Sequence, residues 1–229
     1  MASRVDTKEI HPMITNPLLL GRRFLYILII IGIQMIYIPT SNRIMGGIEP
    51  RLPIDVFPIW PAWVVPYVLC YPLWLFSILW AMFKMDDRMF RSFVMAFIIT
   101  CALSVSIFIA FPTYVKEATF AGNDLFSVLL RVIHENWGRY NAFPSGHIYI
   151  TALVAFFYSR WYPRQRTMWI VILLIVSLST LFTAQHYIVD IPGGLLVAWI
   201  GYAVGIKWME TPVLVSTPAK KRLPLHPPS

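Results

Sequence analysis

The chain has 229 residues, of which 58% are apolar and only 13% are charged, and its mean hydropathy is +0.64. An ordinary soluble domain has about 45–50% apolar and about 25% charged residues, so this composition excludes a soluble globular protein and indicates an integral membrane protein. The net charge of +8 does not indicate nucleic-acid binding, because the basic residues lie in short loops between apolar runs and not along one soluble face.

Six apolar segments approach the ~20 residues that a helix needs to cross a bilayer. In chain order they are Phe24–Pro39, Trp63–Phe83, Phe90–Phe111, Ile148–Trp161, Met168–Thr183 and Ile191–Met209. The first follows two arginines and lacks a small-residue cleavage site, so we interpret it as a retained span and not as a signal peptide. We therefore predict an all-α, polytopic membrane protein with six transmembrane helices.

Six spans place both termini on one side of the membrane. The loops and tails on that side carry 14 of the 19 Lys and Arg residues, whereas the opposite side carries five. By the positive-inside rule, both termini are predicted to be cytoplasmic. We expect a cytoplasmic tail at residues 1–23, a six-span membrane domain at 24–209 and a disordered, proline-rich cytoplasmic tail at 210–229.

One candidate site segment is Asn141-Ala142-Phe143-Pro144-Ser145-Gly146-His147, directly before the fourth apolar run. Serine is a strong helix N-cap, and the first backbone N–H groups of a helix, with the positive end of its dipole, favour bound anions. His147 in the first turn would lie beside such an anion and donate a proton to it. The alternative interpretation is an ordinary capped span with an interfacial histidine.

The second candidate segment is His186-Tyr187-Ile188-Val189-Asp190, directly before the sixth apolar run. A carboxylate four residues after a histidine lies on the same helical face, so Asp190 is expected to accept the Nδ1 proton of His186 and leave Nε2 free to attack. Ionisable residues at a membrane span are candidates for function. A purely structural hydrogen bond is the alternative.

These two segments resemble the second and third signature motifs of the type 2 phosphatidic acid phosphatase superfamily. The segments Ile54–Pro61 and Phe111-Pro112-Thr113, together with the His-Tyr-x-x-Asp box, resemble the branch that includes fungal inositol phosphorylceramide synthase. The resemblance covers roughly residues 50–205 and implies a helical bundle of the phosphatidic acid phosphatase type. The predicted topology, in which both termini are cytoplasmic, places both segments, and so the implied active site, on the extracytoplasmic face.

The resemblance implies a role for each matching residue. His186 would be the nucleophile that forms a phosphohistidine, Asp190 would orient it, and His147 would protonate the leaving oxygen. Ser145 and the Gly146 amide would hold phosphate oxygens. The substrate would be a lipid phosphate, bound among membrane lipids.

Two features of the family pattern are absent. The standard third motif begins Ser-Arg, but this chain has Ser179 and Thr180 there, and the first motif, a lysine followed by an arginine-proline pair, is missing. Another cation must therefore neutralise the phosphate. Lys116 is our first candidate, Arg139 the second and Arg131 the third.

The acidic residues on the same side are left open, either as binders of a polar head group or as partners of these cations; they are Asp55, Glu117, Asp124 and Glu135. No P-loop, metal-ligand cluster or Gly-x-Gly-x-x-Gly motif occurs, and Cys70 and Cys101 both lie inside apolar runs. The sequence therefore predicts no metal, no cofactor and no disulfide.

Three functions remain open at this point. The first is a lipid phosphatase, in which water resolves the phosphohistidine. The second is a phosphotransferase, in which a polar alcohol such as inositol or a sugar resolves it. The third is a non-catalytic membrane scaffold or transporter, which would have no reason to keep both histidines and the aspartate.

Overall fold

The computed structural model describes residues 13–38, 46–136 and 139–210. Within them the secondary structure is helical, which confirms the predicted all-α class. The helices are α1 (Pro17–Met35), α2 (Val64–Lys84), α3 (Asp87–Ala110), α4 (Leu125–Asn136), α5 (Gly146–Trp161), α6 (Arg166–Phe182) and α7 (Asp190–Glu210). Short 3₁₀ turns at Pro61–Trp63 and Pro163–Gln165 precede α2 and α6.

Five of the helices in the described part of the chain are long and apolar enough to cross a membrane, namely α1, α2, α3, α6 and α7. The fourth predicted span corresponds to α5, which has 16 residues. At about 1.5 Å per residue, α5 extends only about 24 Å, less than the ~30 Å of a hydrocarbon core. The structure supports an integral membrane protein with five such helices, and the count of six spans stays a prediction.

The first helix begins earlier than the predicted first span. Helix α1 begins at Pro17, seven residues before the predicted span, because the Asn16 side chain accepts hydrogen bonds from the backbone of Leu18 and Leu19. The last residues of the predicted C-terminal tail, 211–229, lie outside the described residues.

Helix α7 packs most extensively against α3 and α5. Glycines make the approach to α3 close: a Cβ atom on Gly201 would lie 2.6 Å from the Ala96 carbonyl oxygen, and one on Gly205 would lie 2.6 Å from that of Ser92. Small residues that let backbones approach are typical of helix contacts in membranes. This contact fixes α7, whose first residue is Asp190.

Helix α4 lies in a stretch, residues 112–147, for which the sequence predicts only a connecting loop. Its buried residues, Ser127, Leu130 and Ile133, follow a three-residue spacing on one face. Large apolar residues on the other faces, such as Leu125 and Phe126, are exposed. An amphipathic helix of this kind is suited to the membrane interface.

The connecting segments are paired through their backbones next to the site. Thr113 is buried and bridges in parallel to Ile48, while Tyr114 bridges antiparallel to Tyr140. These bridges bring the first loop, the segment after α3 and the segment before α5 together at one end of the helical bundle.

Candidate active site

The first site element is the turn between α6 and α7. Helix α6 ends at Phe182, and α7 begins at Asp190. The backbone N–H groups of Gln185 and His186 both donate to the Thr180 carbonyl, at 3.1 and 3.2 Å, and Ala184 has a φ of 52°. His186 therefore lies in a turn, and the predicted shared helical face with Asp190 is wrong.

The turn nevertheless brings the predicted pair into contact. His186 Nδ1 lies 3.1 Å from Asp190 Oδ2, and the Tyr187 backbone N–H donates to the same oxygen at 2.9 Å. Because a carboxylate can only accept, Nδ1 is the donor and Nε2 carries the free lone pair. Asp190 is fully buried at the N-terminus of α7, where the helix dipole favours its negative charge.

The second site element is the start of α5. Ser145 occupies the N-cap position, as predicted, but its side chain makes no capping hydrogen bond. Its Oγ atom is buried without a partner, while its backbone N–H donates to the Asp190 carbonyl at 3.3 Å. This bond joins the two motifs, although they are 45 residues apart in the sequence.

His147 lies in the first turn of α5, and its ring faces that of His186. The ring centroids are 6.0 Å apart, and both side chains are largely buried. The Nε2 atom of His147 is buried without a hydrogen-bond partner. Both imidazoles therefore retain a nitrogen that is free to act on a bound molecule.

Aromatic residues of α2 hold His147 in place. Tyr67 stacks on its ring with centroids 4.1 Å apart, and Tyr71 and Trp74 contact it at 5.5 Å. Trp74 also donates to Thr151 one turn further along α5, at 3.0 Å. The sequence analysis did not predict these three aromatic residues as part of the site. Tyr67, Tyr71 and Trp74 are separated by four and three residues, a spacing that places their rings on one helical face.

A cavity of about 480 Å³ opens between the two histidines. Its polar part includes His147, His186, Gly146, Lys116 and Arg139. Its apolar part includes Met35, Tyr67, Tyr71, Trp74, Phe108 and Ile150 from α1, α2, α3 and α5, together with Ile38 just after α1. Ser145 and Asp190 are fully buried and are not among the lining residues.

The three predicted cations have different surroundings. Lys116 is exposed and lines the cavity, and its backbone N–H donates to the Tyr187 hydroxyl at 3.2 Å. Arg139 also lines the cavity but pairs with Glu117 at 2.8 Å. Arg131 does not line it: its guanidinium donates to the Gly122 carbonyl at 2.8 Å and lies over the Phe120 ring.

Arg51 was not among the predicted site residues. It lines a second cavity of about 220 Å³, which shares His186 and Lys116 with the first. Its position in the sequence could have suggested it. Arg51 lies in the first predicted loop, on the same side of the membrane as the two motifs and four residues before Asp55.

Two of the acidic residues accept hydrogen bonds from backbone N–H groups. Asp55 is buried and accepts from Leu52 at 2.7 Å and from Ile188, in the turn between α6 and α7, at 2.8 Å. Asp124 accepts from Phe126 and Ser127 at the start of α4. Carboxylates satisfy unpaired donors in loops and at helix N-termini, and sequence spacing cannot reveal which donors those are.

The turn between α6 and α7 is also held through Tyr187. Its hydroxyl donates to Glu49 at 2.6 Å and accepts from the Lys116 backbone at 3.2 Å. Burial, with Glu49 as a further cause, raises the pKa of Tyr187 to about 12, so the phenol stays protonated and the bond to Glu49 persists at neutral pH.

The position of the missing family arginine is filled by Thr180. Its side chain is buried and donates to the Ser177 carbonyl, so it cannot reach a phosphate. Within the described residues, no group of three His, Cys, Asp or Glu side chains is placed to hold a metal ion.

No curated protein matches the chain. The sequence model of the PAP2 superfamily matches residues 56–204, which include α2, α3, the paired segments before α5 and both histidine motifs. This match spans well over half of the chain and includes every residue of the His147, His186 and Asp190 constellation. The chain therefore belongs to the PAP2 superfamily, whose members are phosphoric ester hydrolases and phosphotransferases.

Proposed function

We propose that this protein is a lipid phosphatase that hydrolyses a lipid phosphate or diphosphate through a phosphohistidine. The observation that supports it most is the His186–Asp190 pair, which faces His147 across a cavity with one polar and one apolar part. A phosphate group fits the polar part, and an acyl chain fits the apolar part between the helices.

In the first step, Nε2 of His186 attacks phosphorus while the phosphorus–oxygen bond to the lipid breaks. Asp190 stabilises the positive charge that develops on the His186 ring. His147 gives its proton to the leaving lipid oxygen, so a lipid alcohol departs and not an alkoxide. The products are a phosphohistidine, the lipid alcohol and a neutral His147.

In the second step, a water molecule attacks the phosphohistidine. His147 now accepts a proton from that water, the phosphorus–nitrogen bond breaks, and inorganic phosphate leaves with His186 regenerated. The Gly146 N–H holds a phosphoryl oxygen, and Lys116 and Arg139 offset the negative charge, since all three residues line the cavity. Ser145 was predicted as a further phosphate ligand, but its side chain is buried outside the cavity lining and has no part in this step.

The second candidate is a phosphotransferase, as in the inositol phosphorylceramide synthase-like branch. The supporting observation is the burial of the histidines, whose exposed fractions are 8% for His147 and 9% for the His186 side chain. Exclusion of water protects a reactive intermediate from hydrolysis until an alcohol attacks it.

The two functions differ in product. Purified protein given phosphatidic acid should release inorganic phosphate in proportion to the substrate consumed if it is a phosphatase. A new phosphate monoester of inositol or of the sugar, with only traces of inorganic phosphate, would favour the phosphotransferase. Inactivity of the folded protein towards a broad panel of lipid phosphates and diphosphates would favour a non-catalytic scaffold or transporter.

The roles of the two histidines are tested by changing the leaving group. His186→Ala should abolish labelled phosphoenzyme with every substrate, because it removes the nucleophile. His147→Ala should impair p-nitrophenyl phosphate much less than phosphatidic acid, since a phenolate of low pKa leaves without protonation. Asp190→Asn should keep the fold and lower turnover. Labelling that survives in His186→Ala, or equal losses with both substrates in His147→Ala, would contradict these roles.

A further inference from the structure

The side chain of Asn141 has an environment that the proposed reaction leaves unexplained. The residue is only 2% exposed, yet neither Nδ2 nor Oδ1 has a hydrogen-bond partner. It also lines the cavity between the two histidines. A buried amide without partners costs free energy, so an atom of this kind next to a cavity indicates a ligand that supplies the missing partners.

Hydrogen bonds to Thr113 hold the backbone around Asn141. The Asn141 N–H donates to the Thr113 carbonyl at 2.7 Å, and the Phe143 N–H donates to Thr113 Oγ1 at 2.9 Å. Asn141 has a φ of 60°, a left-handed conformation that glycine adopts freely and asparagine tolerates. Glycine would therefore satisfy the backbone, and the amide adds two polar atoms that the fold does not use.

Another unpaired buried atom belongs to the same cavity lining. It is Nε2 of His147, six residues after Asn141. Polar atoms that are left open together match a single polar ligand better than they match packing. If the proposed function holds, on which this inference rests, that ligand is the phosphoryl group.

We propose that Asn141 is a catalytic residue that donates an amide N–H from Nδ2 to a non-bridging oxygen of the transferring phosphoryl group. A neutral donor in a desolvated site stabilises the charge that develops on those oxygens. It adds to Lys116 and Arg139 at a site where the family arginine is replaced by the occupied Thr180. Oδ1 of the same amide then accepts from a water molecule or from the substrate.

The test compares Asn141→Asp and Asn141→Gly with Asn123→Asp in the full-length protein in detergent. Aspartate keeps the shape but replaces the donor with a negatively charged acceptor, and glycine removes the amide while satisfying the positive φ. Asn123 is exposed in the loop before α4 and lines neither cavity, so it controls for the added charge.

We expect Asn141→Asp to lower kcat/KM for phosphatidic acid by about 10²-fold or more, and Asn141→Gly by at least about tenfold, whereas Asn123→Asp should match the wild type. Inorganic phosphate should raise the thermal unfolding temperature of the wild type and of Asn123→Asp, but much less that of either Asn141 variant. Without phosphate, Asn141→Gly should unfold close to the wild-type temperature.

Wild-type kcat/KM and a wild-type phosphate response in both Asn141 variants would overturn the proposal while leaving the phosphatase in place. A large loss of unfolding temperature without phosphate in both variants would also overturn it, because the amide would then be structural. If the wild type itself neither releases phosphate nor responds to it, the proposed function fails and this inference fails with it.

Discussion

At the scale of single residues, the supply of positive charge distinguishes this site. Lys116 and Arg51 are near His186 in the second cavity, and Lys116 and Arg139 are near it in the first. Arg139 shares its charge with Glu117, whereas Arg131 is occupied by a carbonyl and a ring at a distance from both cavities. The arrangement supports Lys116 as the first candidate for a phosphate-binding cation.

Lys116→Ala is expected to slow turnover by about 10²-fold, because Lys116 lines both cavities together with His186 and a cation on a transferring phosphate stabilises the transition state. Arg131→Ala should change turnover by less than about fivefold, since Arg131 lines neither cavity and its guanidinium contacts the Gly122 carbonyl and the Phe120 ring. The measurement is steady-state kcat and KM with phosphatidic acid. Equal and small effects of both substitutions would remove Lys116 from the site and make Arg139 the first choice.

At the scale of helices, the geometry of the site depends on the position of α7 against α3. Asp190 is the first residue of α7, and the Gly201 and Gly205 contacts with α3 set the position of that helix. A side chain at these positions would meet backbone atoms, which cannot rotate away. The carboxylate that orients His186 is therefore positioned by packing further along the same helix.

Gly201→Val is expected to destabilise the protein by roughly 1–3 kcal/mol or more, because overpacking forces α3 and α7 apart. Gly32→Val in α1 is the matched control, since nothing lies within 4 Å of the position of its Cβ atom. Thermal unfolding in detergent should show a lower transition for Gly201→Val alone. The same transition in both variants would contradict the close contact.

Helix α4 contacts the turn between α6 and α7 through His134, whose Nε2 lies 2.8 Å from the Thr183 carbonyl oxygen. Burial is the largest cause that lowers the pKa of His134; Arg139 lowers it further, while the Thr183 carbonyl and Glu117 raise it. The folded protein therefore favours the neutral ring more than the unfolded chain does.

Because the pKa of His134 is lower in the folded protein than in the unfolded chain, the neutral ring stabilises the fold. This contribution is fully present above the unfolded pKa of about 6.5 and is lost as the pH falls through the lower folded pKa. Wild-type protein should lose unfolding temperature as the pH falls from about 7.5 to about 5.5, a range that spans the ordinary histidine pKa. His134→Gln keeps a donor for Thr183 but cannot titrate, so its loss over the same range should be smaller. Identical pH dependence in the two proteins would show that His134 does not contribute to acid sensitivity.

At the scale of the whole molecule, the candidate site lies at one end of the helical bundle. The start of α5 and the turn between α6 and α7 line the cavity there, and the first loop is bonded to that turn through Asp55 and Glu49. The division of basic residues, 14 to five, predicts that this end is extracytoplasmic and that both termini are cytoplasmic.

A reporter fused after Ser229 is expected to be cytoplasmic, and an epitope tag inserted between Thr119 and Asn123 is expected to be reached from the extracytoplasmic side. The reason is the excess of Lys and Arg in the loops on the side of the termini. Accessibility to antibody or protease in intact and permeabilised membranes measures both positions. An exposed tail with a protected loop tag would invert the orientation and place the site in the cytoplasm.

The sequence alone determined the membrane class, the approximate positions of the long helices and the segments that carry His147 and His186. It did so because hydropathy and short motifs are local properties, which a run of neighbouring residues specifies without reference to the rest of the chain. Hydropathy did not reveal α4, because polar residues interrupt its apolar residues and its 12 residues are too few for a membrane span.

Only the tertiary structure decided which groups meet. His186 and Asp190 contact through a turn and not along a helix, the rings that hold His147 come from α2, and Asn141, whose buried amide is unpaired, lines the cavity. The sequence left two roles possible for Asp55, binding a head group or pairing with a cation. In the structure its carboxylate accepts a hydrogen bond from the backbone of Ile188, in the turn between α6 and α7. Each of these contacts joins segments or depends on a backbone conformation that sequence spacing does not encode, because long-range packing selects the partner of each buried polar group.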